Sequence, residues 1–503
     1  MFCCSLIFFG GKMLKRIFIS VVALNFLIAS DNDTTLTFEA TEGTLISVDV
    51  SPNGRTIAFD LLGHIYLMSI NGGKAEALTK GRSWNMFPRF SPNGDKILFT
   101  SDRSGSDDLW IQDIKTGEMK NISNMNLPVH QGSWSVDGKH VFGTALNMKV
   151  RHPVYMFNMF GKKQEIIPAG SRAPVTHFTM HPNNGLVYFA HGDAPLYRSG
   201  DRIKTYNLNN GEIKTYIDRP GGAANPTLSK DGKSLAYIHR DDRETVLVIR
   251  NIQTNQEKIV NRDLDFDRMD SGSFYGSYTN MSWHPNGRDV LISYGGGIHS
   301  VNTVTGKSKE IKFTAKVKRE IKGTVRFKVE VPQESSKTRS HRWSQQTPAG
   351  ILYESLGDLY LKNGSKLKNL TESDDHETSP FYDPKSRKIY YASWNDRDMG
   401  SIFQMDLTGN KKKKITTVPS QYGSITVSGD GALYYIRGRG SLINGQRLEK
   451  QTDFELVSNI DGKETKLSTI NWSGNRYAKR PPVIHVAGNG NIYYSDYVND
   501  VLT

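Results

Sequence analysis

The sequence predicts an all-β chain built as a β-propeller, and two regularities carry this prediction. A turn that ends in glycine recurs, and an apolar, strand-like segment follows it each time; the clear copies end at Gly54, Gly94, Gly138, Gly185, Gly232 and Gly287. The steps between successive glycines are 40, 44, 47, 47 and 55 residues. Four short strands per repeat and a period in the forties are typical of a propeller, whose blades must stack to bury their faces.

One repeat, residues 84–122, shows how the strands are separated. Its first turn is Ser91-Pro92-Asn93-Gly94, in which the proline fixes one backbone angle and the glycine accepts the left-handed conformation. Turns at 102–105 and 115–117 divide the remainder into short apolar strands. The repeat therefore predicts four antiparallel strands. A β-sandwich would explain the alternation of apolar residues, but not the same turn and strand in ten copies.

Four weaker turn signals follow the six clear ones, at Pro348–Gly350, Asp383–Ser386, Ser428–Gly431 and Ala487–Gly490. Because a propeller closes with about 4–8 blades, ten repeats exceed one ring. The step from Gly287 to Gly350 is the longest in the chain. It contains a basic stretch, 312–321, that carries no repeat signal. We therefore predict a first, six-bladed propeller over residues 31–312 and a second, incomplete and truncated propeller over residues 313–503.

Residues 1–30 read as a secretory signal peptide. Lys15 and Arg16 precede a short apolar run, 17–29, which is too short for a comfortable membrane span. Met13 would be a natural start for such a signal. We therefore expect an exported, periplasmic protein without a stable membrane span after cleavage. Both cysteines, Cys3 and Cys4, lie in this segment, so the mature chain would contain none.

The formal net charge of +13 raises the question of a nucleic-acid partner. Charges of both signs are interspersed and no nucleic-acid motif is present, so we expect no nucleic-acid partner. The one purely basic run is Lys411–Lys414. It falls where a blade hairpin should turn, which favours a solvated turn over a contact with an anionic surface.

Few residues suggest chemistry. His177 and His181 are four apart on a strand-like segment, where such residues lie far apart along the chain. Asp102 and Arg103 lie in a turn, and a structural ion pair between neighbouring blades explains them better than a ligand site. No metal-binding histidine pair and no Gly-x-Ser-x-Gly nucleophile motif occurs. The sequence therefore predicts no catalytic, cofactor-binding or metal-binding residues and no cofactor in this chain.

The aspartate-rich run Asp263–Asp270 is the nearest approach to a metal site. Its alternating aspartates are similar to a calcium loop, but Arg268 stands where that loop needs glycine, and the glutamate at the twelfth position is missing. A solvated loop between blades is the favoured interpretation.

Several motifs resemble a known family. Ser-Pro-Asn-Gly at 91–94 followed by Ser-Asp-Arg-Ser-Gly at 101–105 is similar to the repeats of TolB-like six-bladed propellers. A wider, ordered set looks like exported proteins in which such propellers precede an amidohydrolase domain; its members are 39–43, 47–52, 59–66, 84–91, 295–298, 342–343 and 356–360. In that family the amidohydrolase barrel holds the divalent metal and the catalytic carboxylate. The resemblance implies that any such metal belongs to the absent amidohydrolase domain, because this sequence ends at Thr503.

Three functions remain open. The first is a non-catalytic propeller region of a periplasmic amidohydrolase-type protein, which acts in binding, scaffolding or substrate access. The second is a stand-alone TolB-like binding module. The third is the propeller of a prolyl oligopeptidase-type or tricorn-type serine peptidase that lacks its catalytic domain. The expected partner is a protein or peptide ligand, or the missing catalytic domain.

Overall fold

The fold is described from a computed structural model. It covers residues 33–147, 152–168, 174–192, 201–241, 244–269, 275–323, 330, 338–438, 453–471, 482–495, 497–498 and 501–502. All regular structure in these ranges is β-strand, as the predicted fold class requires. None of it forms a helix that could cross a membrane. The expected signal peptide and both cysteines lie outside the described residues.

The chain divides into two compact units. The first comprises Met1–Arg240 and Thr245–Pro332, and the second comprises Asp241–Glu244 and Gln333–Thr503.

The first propeller is built from short strands that follow one another without interruption by helices. They are β1 (Thr34–Ala40), β2 (Val48–Val50), β3 (Thr56–Leu61), β4 (His64–Ser69), β5 (Gly73–Ala77), β6 (Asn85–Phe90), β7 (Lys96–Ser101), β8 (Asp108–Asp113), β9 (Met119–Asn121), β10 (Val129–Trp134), β11 (His140–Ala145), β12 (Val154–Asn158), β13 (Lys163–Ile167), β14 (Val175–Met180), β15 (Leu186–His191), β16 (Arg202–Asn207), β17 (Ile213–Ile217), β18 (Ala224–Leu228), β19 (Ser234–Asp241), β20 (Glu244–Asn251), β21 (Glu257–Asn261), β22 (Ser282–Trp283), β23 (Asp289–Tyr294), β24 (Gly297–Asn302), β25 (Ser308–Glu310) and β26 (Phe313–Ile321).

These strands form six antiparallel sheets, which are the predicted six blades. Blade 1 contains β2–β5, blade 2 contains β6–β9, blade 3 contains β10–β13, blade 4 contains β14–β17, blade 5 contains β18–β21 and blade 6 contains β22–β25. The glycine turn joins the first and second strands of each blade. All six glycines have φ between 68° and 81°, where any other residue would be strained. In blade 2 the Gly94 N–H donates to the Ser91 carbonyl at 2.8 Å.

The ring closes where blade 6 packs on blade 1. Phe59 and Tyr66 of blade 1 share one buried cluster with Leu291 and Ile298 of blade 6. The backbone N–H of Val48 also donates to the Asn280 carbonyl at 3.1 Å. Blade 1 therefore has a blade on each side, and its inner sheet edge is protected.

The basic stretch that we expected at a domain boundary is a strand of the first unit. β26 pairs in parallel with β5 and in antiparallel fashion with β1, so blade 1 becomes a six-stranded sheet. Phe313, Ala315 and Val317 alternate with polar residues and are buried, because they point into the blade 1 core. The predicted boundary after residue 312 is therefore wrong: the first unit continues to Pro332.

The second unit repeats the blade pattern. Its strands are β27 (Arg342–Thr347), β28 (Gly350–Ser355), β29 (Asp358–Asn363), β30 (Lys366–Asn369), β31 (His376–Asp383), β32 (Lys388–Asn395), β33 (Met399–Asp406), β34 (Lys413–Lys414), β35 (Tyr422–Val427), β36 (Leu433–Arg437), β37 (Asp453–Ile460), β38 (Lys463–Asn471), β39 (Ile484–Val486), β40 (Ile492–Tyr494), β41 (Tyr497–Val498) and β42 (Val501–Leu502). They form three four-stranded sheets and two two-stranded ones. The four weaker turns join β27 to β28, β31 to β32, β35 to β36 and β39 to β40.

Candidate functional site

A cavity at the turn end of the first propeller is lined by residues from all six blades. Each innermost strand contributes the residue two positions before its turn, and these six residues are all polar: Asp49, Arg89, Ser133, Thr179, Thr227 and Ser282. The cavity, which we call the lower cavity, has a volume of about 430 Å³. Concave sites of this size hold small ligands or a short stretch of chain.

One ion pair lies in the wall of the lower cavity. The Arg89 guanidinium is 3.5 Å from the Asp49 carboxylate, and the side chains are 15% and 13% exposed. Arg89 also donates to the Met281 carbonyl at 3.1 Å, and Asp49 accepts the Phe90 N–H at 2.7 Å. Burial raises the pKa of Asp49, and the Arg89 charge partly opposes that rise. The pair thus ties blades 1, 2 and 6 together beside the cavity.

The rim of the lower cavity is mostly apolar. It is formed by the second residue of each turn, namely Pro52, Pro92, Val136, Pro182, Lys230 and Pro285. Two indoles complete it: the Trp134 N–H donates to the Arg89 carbonyl at 3.1 Å, and the Trp283 N–H donates to the Thr227 carbonyl at 2.8 Å. Since both indole N–H groups are satisfied within the propeller, their remaining surface offers apolar contact to a ligand.

A second ring of six residues lies farther along the inner strands. Its members, four positions before each turn, are Ser47, Phe87, Gln131, His177, Asn225 and Asn280, and all are buried. We call this set the middle ring. Phe87, Gln131, His177 and Asn225 have φ between 52° and 60°, each at a bulge between the first two strands of its blade. Bulges re-aim side chains, and the four residues at these bulges are all buried.

The connection between blades 5 and 6 crosses the middle ring. The Gln131 amide donates to the Tyr275 carbonyl, and Tyr275 packs against His130 with ring centroids 5.0 Å apart. A Cβ at Gly276 would lie 2.0 Å from the His177 ring, so only glycine fits there. The sequence signal for this crossing is the 55-residue step, which is the longest within the first ring.

Beyond the middle ring lies a second, smaller cavity of about 210 Å³, which we call the upper cavity. It lies between blades 1 and 2 and the segment that begins at Tyr275. Asp60, Phe87 and Thr279 line it. The middle ring and the crossing segment therefore separate two cavities in the first unit.

The two histidines singled out from the sequence lie in different places. His177 belongs to the middle ring and is 3% exposed. Burial holds its pKa well below the ordinary value, with a smaller contribution from the charges of Arg89 and Arg268. His181 is the first turn residue of blade 4, where its Nδ1 accepts the Asn183 N–H at 3.2 Å. They form no joint site.

The aspartate-rich run serves structure. Asp265 accepts the Gly295 N–H at 3.0 Å, and Asp267 is buried against Arg240. The expectation of a solvated loop is therefore wrong for Asp267, while Asp270 lies outside the described residues. In the part of the chain that the structure describes, no group of three or more His, Cys, Asp or Glu side chains could hold a metal ion.

The turn residues Asp102 and Arg103 act within blade 2. Asp102 accepts the Trp84 N–H at 2.7 Å, and Arg103 lies over the rings of Phe99 and Trp110, 5.3 and 5.1 Å from their centroids. The expected ion pair between blades is therefore wrong, because hydrogen bonds and cation–π contacts use these side chains inside one blade.

The basic run Lys411–Lys414 lies at an exposed hairpin, as expected for a solvated turn. Lys413 and Lys414 form β34, which pairs with β33, and the Lys412 ammonium donates to the Thr371 carbonyl at 2.8 Å.

Comparison with known proteins agrees with this architecture. A family model described as the TolB beta propeller domain matches residues 27–198. The chain carries a TolB-like β-propeller. This confirms the TolB-like propeller part of the resemblance.

Individual relatives match over shorter stretches. The Tol-Pal system protein TolB of Jannaschia sp. (strain CCS1) is 42% identical over 55 residues, which is 11% of this chain and 12% of that protein. The uncharacterized peptidase YuxL of Bacillus subtilis (strain 168) is 23% identical over 177 residues, 35% of this chain and 24% of that one. The matched region thus spans a quarter or less of either relative. The crystal structure of TolB from Acinetobacter baumannii aligns over 62% of this chain and 74% of its own, with 18% identity and a TM-score of 0.42.

Proposed function

We propose that this chain is a non-catalytic, exported binding region whose TolB-like propeller receives a segment of a protein or peptide in the lower cavity. The observation that supports the proposal is the make-up of that cavity. Six polar side chains, one from each blade, line its wall, and prolines and indoles form its rim.

This combination suits an extended peptide. Backbone amides of a bound segment can pair with the hydroxyls of Ser133, Thr179 and Thr227, while its apolar side chains contact the rim. The Asp49–Arg89 pair already satisfies much of its own hydrogen-bonding capacity through Phe90 and Met281. Its role is therefore to fix the shape of the cavity.

The proposal is tested by selecting binders from a random peptide library on the immobilised full chain. We expect enriched peptides that bind reversibly and lose about tenfold or more in affinity in Val136→Asp, because a charge at the apolar rim must then be desolvated. Val136 is 43% exposed, so this change should leave the fold intact.

The matched control is Val304→Asp. Val304 is 66% exposed in blade 6 and does not line the lower cavity. Peptides that bind both variants equally well, or a library that yields no saturable binder, would overturn the proposal.

We further propose that the region belongs to a larger exported hydrolase, as its motifs suggest. The amidohydrolase-type protein remains the first candidate. The serine-peptidase alternative gains support from the match to a protein named as a peptidase, and the stand-alone module gains support from the match to TolB. Sequencing the coding region downstream of Thr503 separates them. A His-x-His barrel supports the amidohydrolase-type protein, a Gly-x-Ser-x-Gly domain supports the serine peptidase, and an immediate stop codon supports the stand-alone module.

A further inference from the structure

Asp60 is a buried carboxylate whose hydrogen-bond partners among the described residues are backbone N–H groups. It is 8% exposed, and its two oxygens accept the backbone N–H groups of Ser47 at 2.7 Å and Phe87 at 2.8 Å. Across the described residues, no Lys, Arg or His forms an ion pair with it. Burial raises its pKa to about 7, and only backbone hydrogen bonds oppose the rise. Buried charges are ordinarily paired, so this one requires an explanation.

The carboxylate lies at the wall of the upper cavity, and three aromatic side chains line the same space. These are Trp84, Phe87 and Tyr275, with the rings of Phe87 and Tyr275 5.9 Å apart. A volume of about 210 Å³ is smaller than a drug-sized site and suits a single side chain. Aromatic faces around a carboxylate are the environment in which proteins bind organic cations.

Two further features point to an external ligand. The Thr279 hydroxyl lines the cavity, is buried, and has no hydrogen-bond partner among the described residues. Around the opening, Leu45, Leu62 and Trp84 are 45%, 44% and 46% exposed. A buried hydroxyl without a hydrogen-bond partner and a group of exposed apolar side chains are both unfavourable in free energy. A bound ligand would remove both penalties.

The second unit shows the same carboxylate position with its cation supplied by the chain. Tyr353-Glu354-Ser355-Leu356-Gly357 repeats Phe59-Asp60-Leu61-Leu62-Gly63, and both turn leucines have positive φ, 49° at Leu62 and 55° at Leu356. Glu354 accepts Arg342 at 2.7 Å and the Gly357 N–H at 2.9 Å. In the first unit Asp60 accepts backbone N–H groups, and no arginine forms an ion pair with it among the described residues.

We propose that the upper cavity binds the alkylammonium group of a lysine side chain from a partner, with the ammonium at Asp60 and the carbon stem against Leu45, Leu62 and Trp84. Arg268 also lines the cavity. Among the described residues, Arg268 forms no ion pair with Asp60, whose carboxylate accepts the Ser47 and Phe87 N–H groups. The three ammonium protons can serve the carboxylate and the Thr279 hydroxyl together.

The test uses Nα-acetyl-lysine methylamide and its uncharged norleucine analogue, titrated into the full chain by calorimetry. We expect saturable binding of the lysine compound and about tenfold or more weaker binding of the norleucine compound, because only the former supplies the cation. Trp84→Ala, at an exposed position, should weaken the lysine compound by a similar factor. Asp60→Asn should abolish its binding.

Glu354→Gln is the matched control, since that carboxylate already has Arg342, and it should leave binding unchanged. Circular dichroism shows whether each variant is folded; if Asp60→Asn unfolds, Trp84→Ala decides alone. Equal binding of the two compounds, preferential binding of acetate, or an affinity for the lysine compound that Trp84→Ala leaves unchanged overturns the proposal.

Discussion

Arg240 and Asp267 form an ion pair that is almost completely withdrawn from solvent. The Arg240 Nη2 lies 2.5 Å from Asp267 Oδ1, the Nε lies 3.0 Å from Oδ2, and the side chains are 1% and 0% exposed. The Thr245 hydroxyl donates to the same carboxylate at 2.8 Å. Arg240 lies near the end of strand β19 in blade 5. Asp267 lies in the connection between blades 5 and 6, which then crosses the middle ring. The pair therefore anchors the base of that crossing.

Removing one partner should be costly. We expect Asp267→Ala to destabilise the first unit by about 3–5 kcal/mol, because it leaves the Arg240 charge buried and unpaired. Hydrogen exchange on peptides of the first unit is the appropriate measurement, since a chain of two units need not unfold in one step. Asp265→Ala is the control; this exposed residue should change stability by less than about 1 kcal/mol. Equal effects of the two changes would contradict the assignment.

Alanine substitutions at two turn glycines test backbone strain and steric fit separately. Gly287 has φ of 69° and open space where a Cβ would stand, so Gly287→Ala should cost about 1–2 kcal/mol from the left-handed backbone alone. Gly232 has φ of 71°, but its Cβ would lie 2.7 Å from His181 and 2.9 Å from Pro182. Gly232→Ala should therefore cost clearly more than Gly287→Ala. Hydrogen exchange of blades 5 and 6 measures both, and a reversed order would refute this interpretation.

Asp60 and His130 should give opposite pH dependences. The pKa of Asp60 is raised by burial to about 7, so the native state binds the extra proton and stability falls as pH rises from about 4 to 7. The pKa of His130 is lowered by burial, with a smaller contribution from His152, to about 3. The contribution of His130 to the free energy of unfolding is therefore lost as pH falls from about 6.5 to 3. The two slopes oppose one another in the wild-type chain.

In Asp60→Asn, the pH dependence of stability that comes from His130 should no longer be opposed by Asp60. We expect the stability advantage of the wild type over Asp60→Asn to shrink by at most about 4 kcal/mol between pH 4 and pH 7. Exchange of first-unit peptides at several pH values measures this difference. A difference that stays constant with pH would show that folding does not raise the pKa of Asp60.

Limited trypsin digestion should locate the junction between the units. Lys316, Lys318 and Arg319 lie in β26, where backbone hydrogen bonds to β1 and β5 protect the chain. We therefore expect the first cleavage between residues 322 and 341, around the division at Pro332. Mass spectrometry of early fragments identifies the bonds. Early cleavage at Lys316 would show that β26 is not part of the first unit's sheet.

The repeat of turns and strands could be predicted from sequence because it is local. The strand β26 could also have been found: Phe313, Ala315 and Val317 alternate with polar residues, which is the strand pattern, but no glycine turn marks it as part of a blade. The paired state of Asp267 and the unpaired state of Asp60 could not be predicted. Both depend on distances between elements far apart in the chain. These distances cannot be inferred from the residues next to Asp60 and Asp267 in the sequence.

The pairing of β1 with β26 changes how force would travel through the protein. Thr34 faces Ile321, and the Asp33 carboxylate accepts the Gly323 N–H at 2.8 Å, so the chain enters and leaves the first ring at one point. Tension applied at these two positions acts first on the β1–β26 pair, at the outer side of the blade 1 sheet, before it reaches the other strands of the blades. Since the pair is antiparallel and loaded at one end, its hydrogen bonds would open one after another, like a zipper, instead of shearing together. Tension along the chain would therefore load the rest of the first propeller only after β1 and β26 have separated.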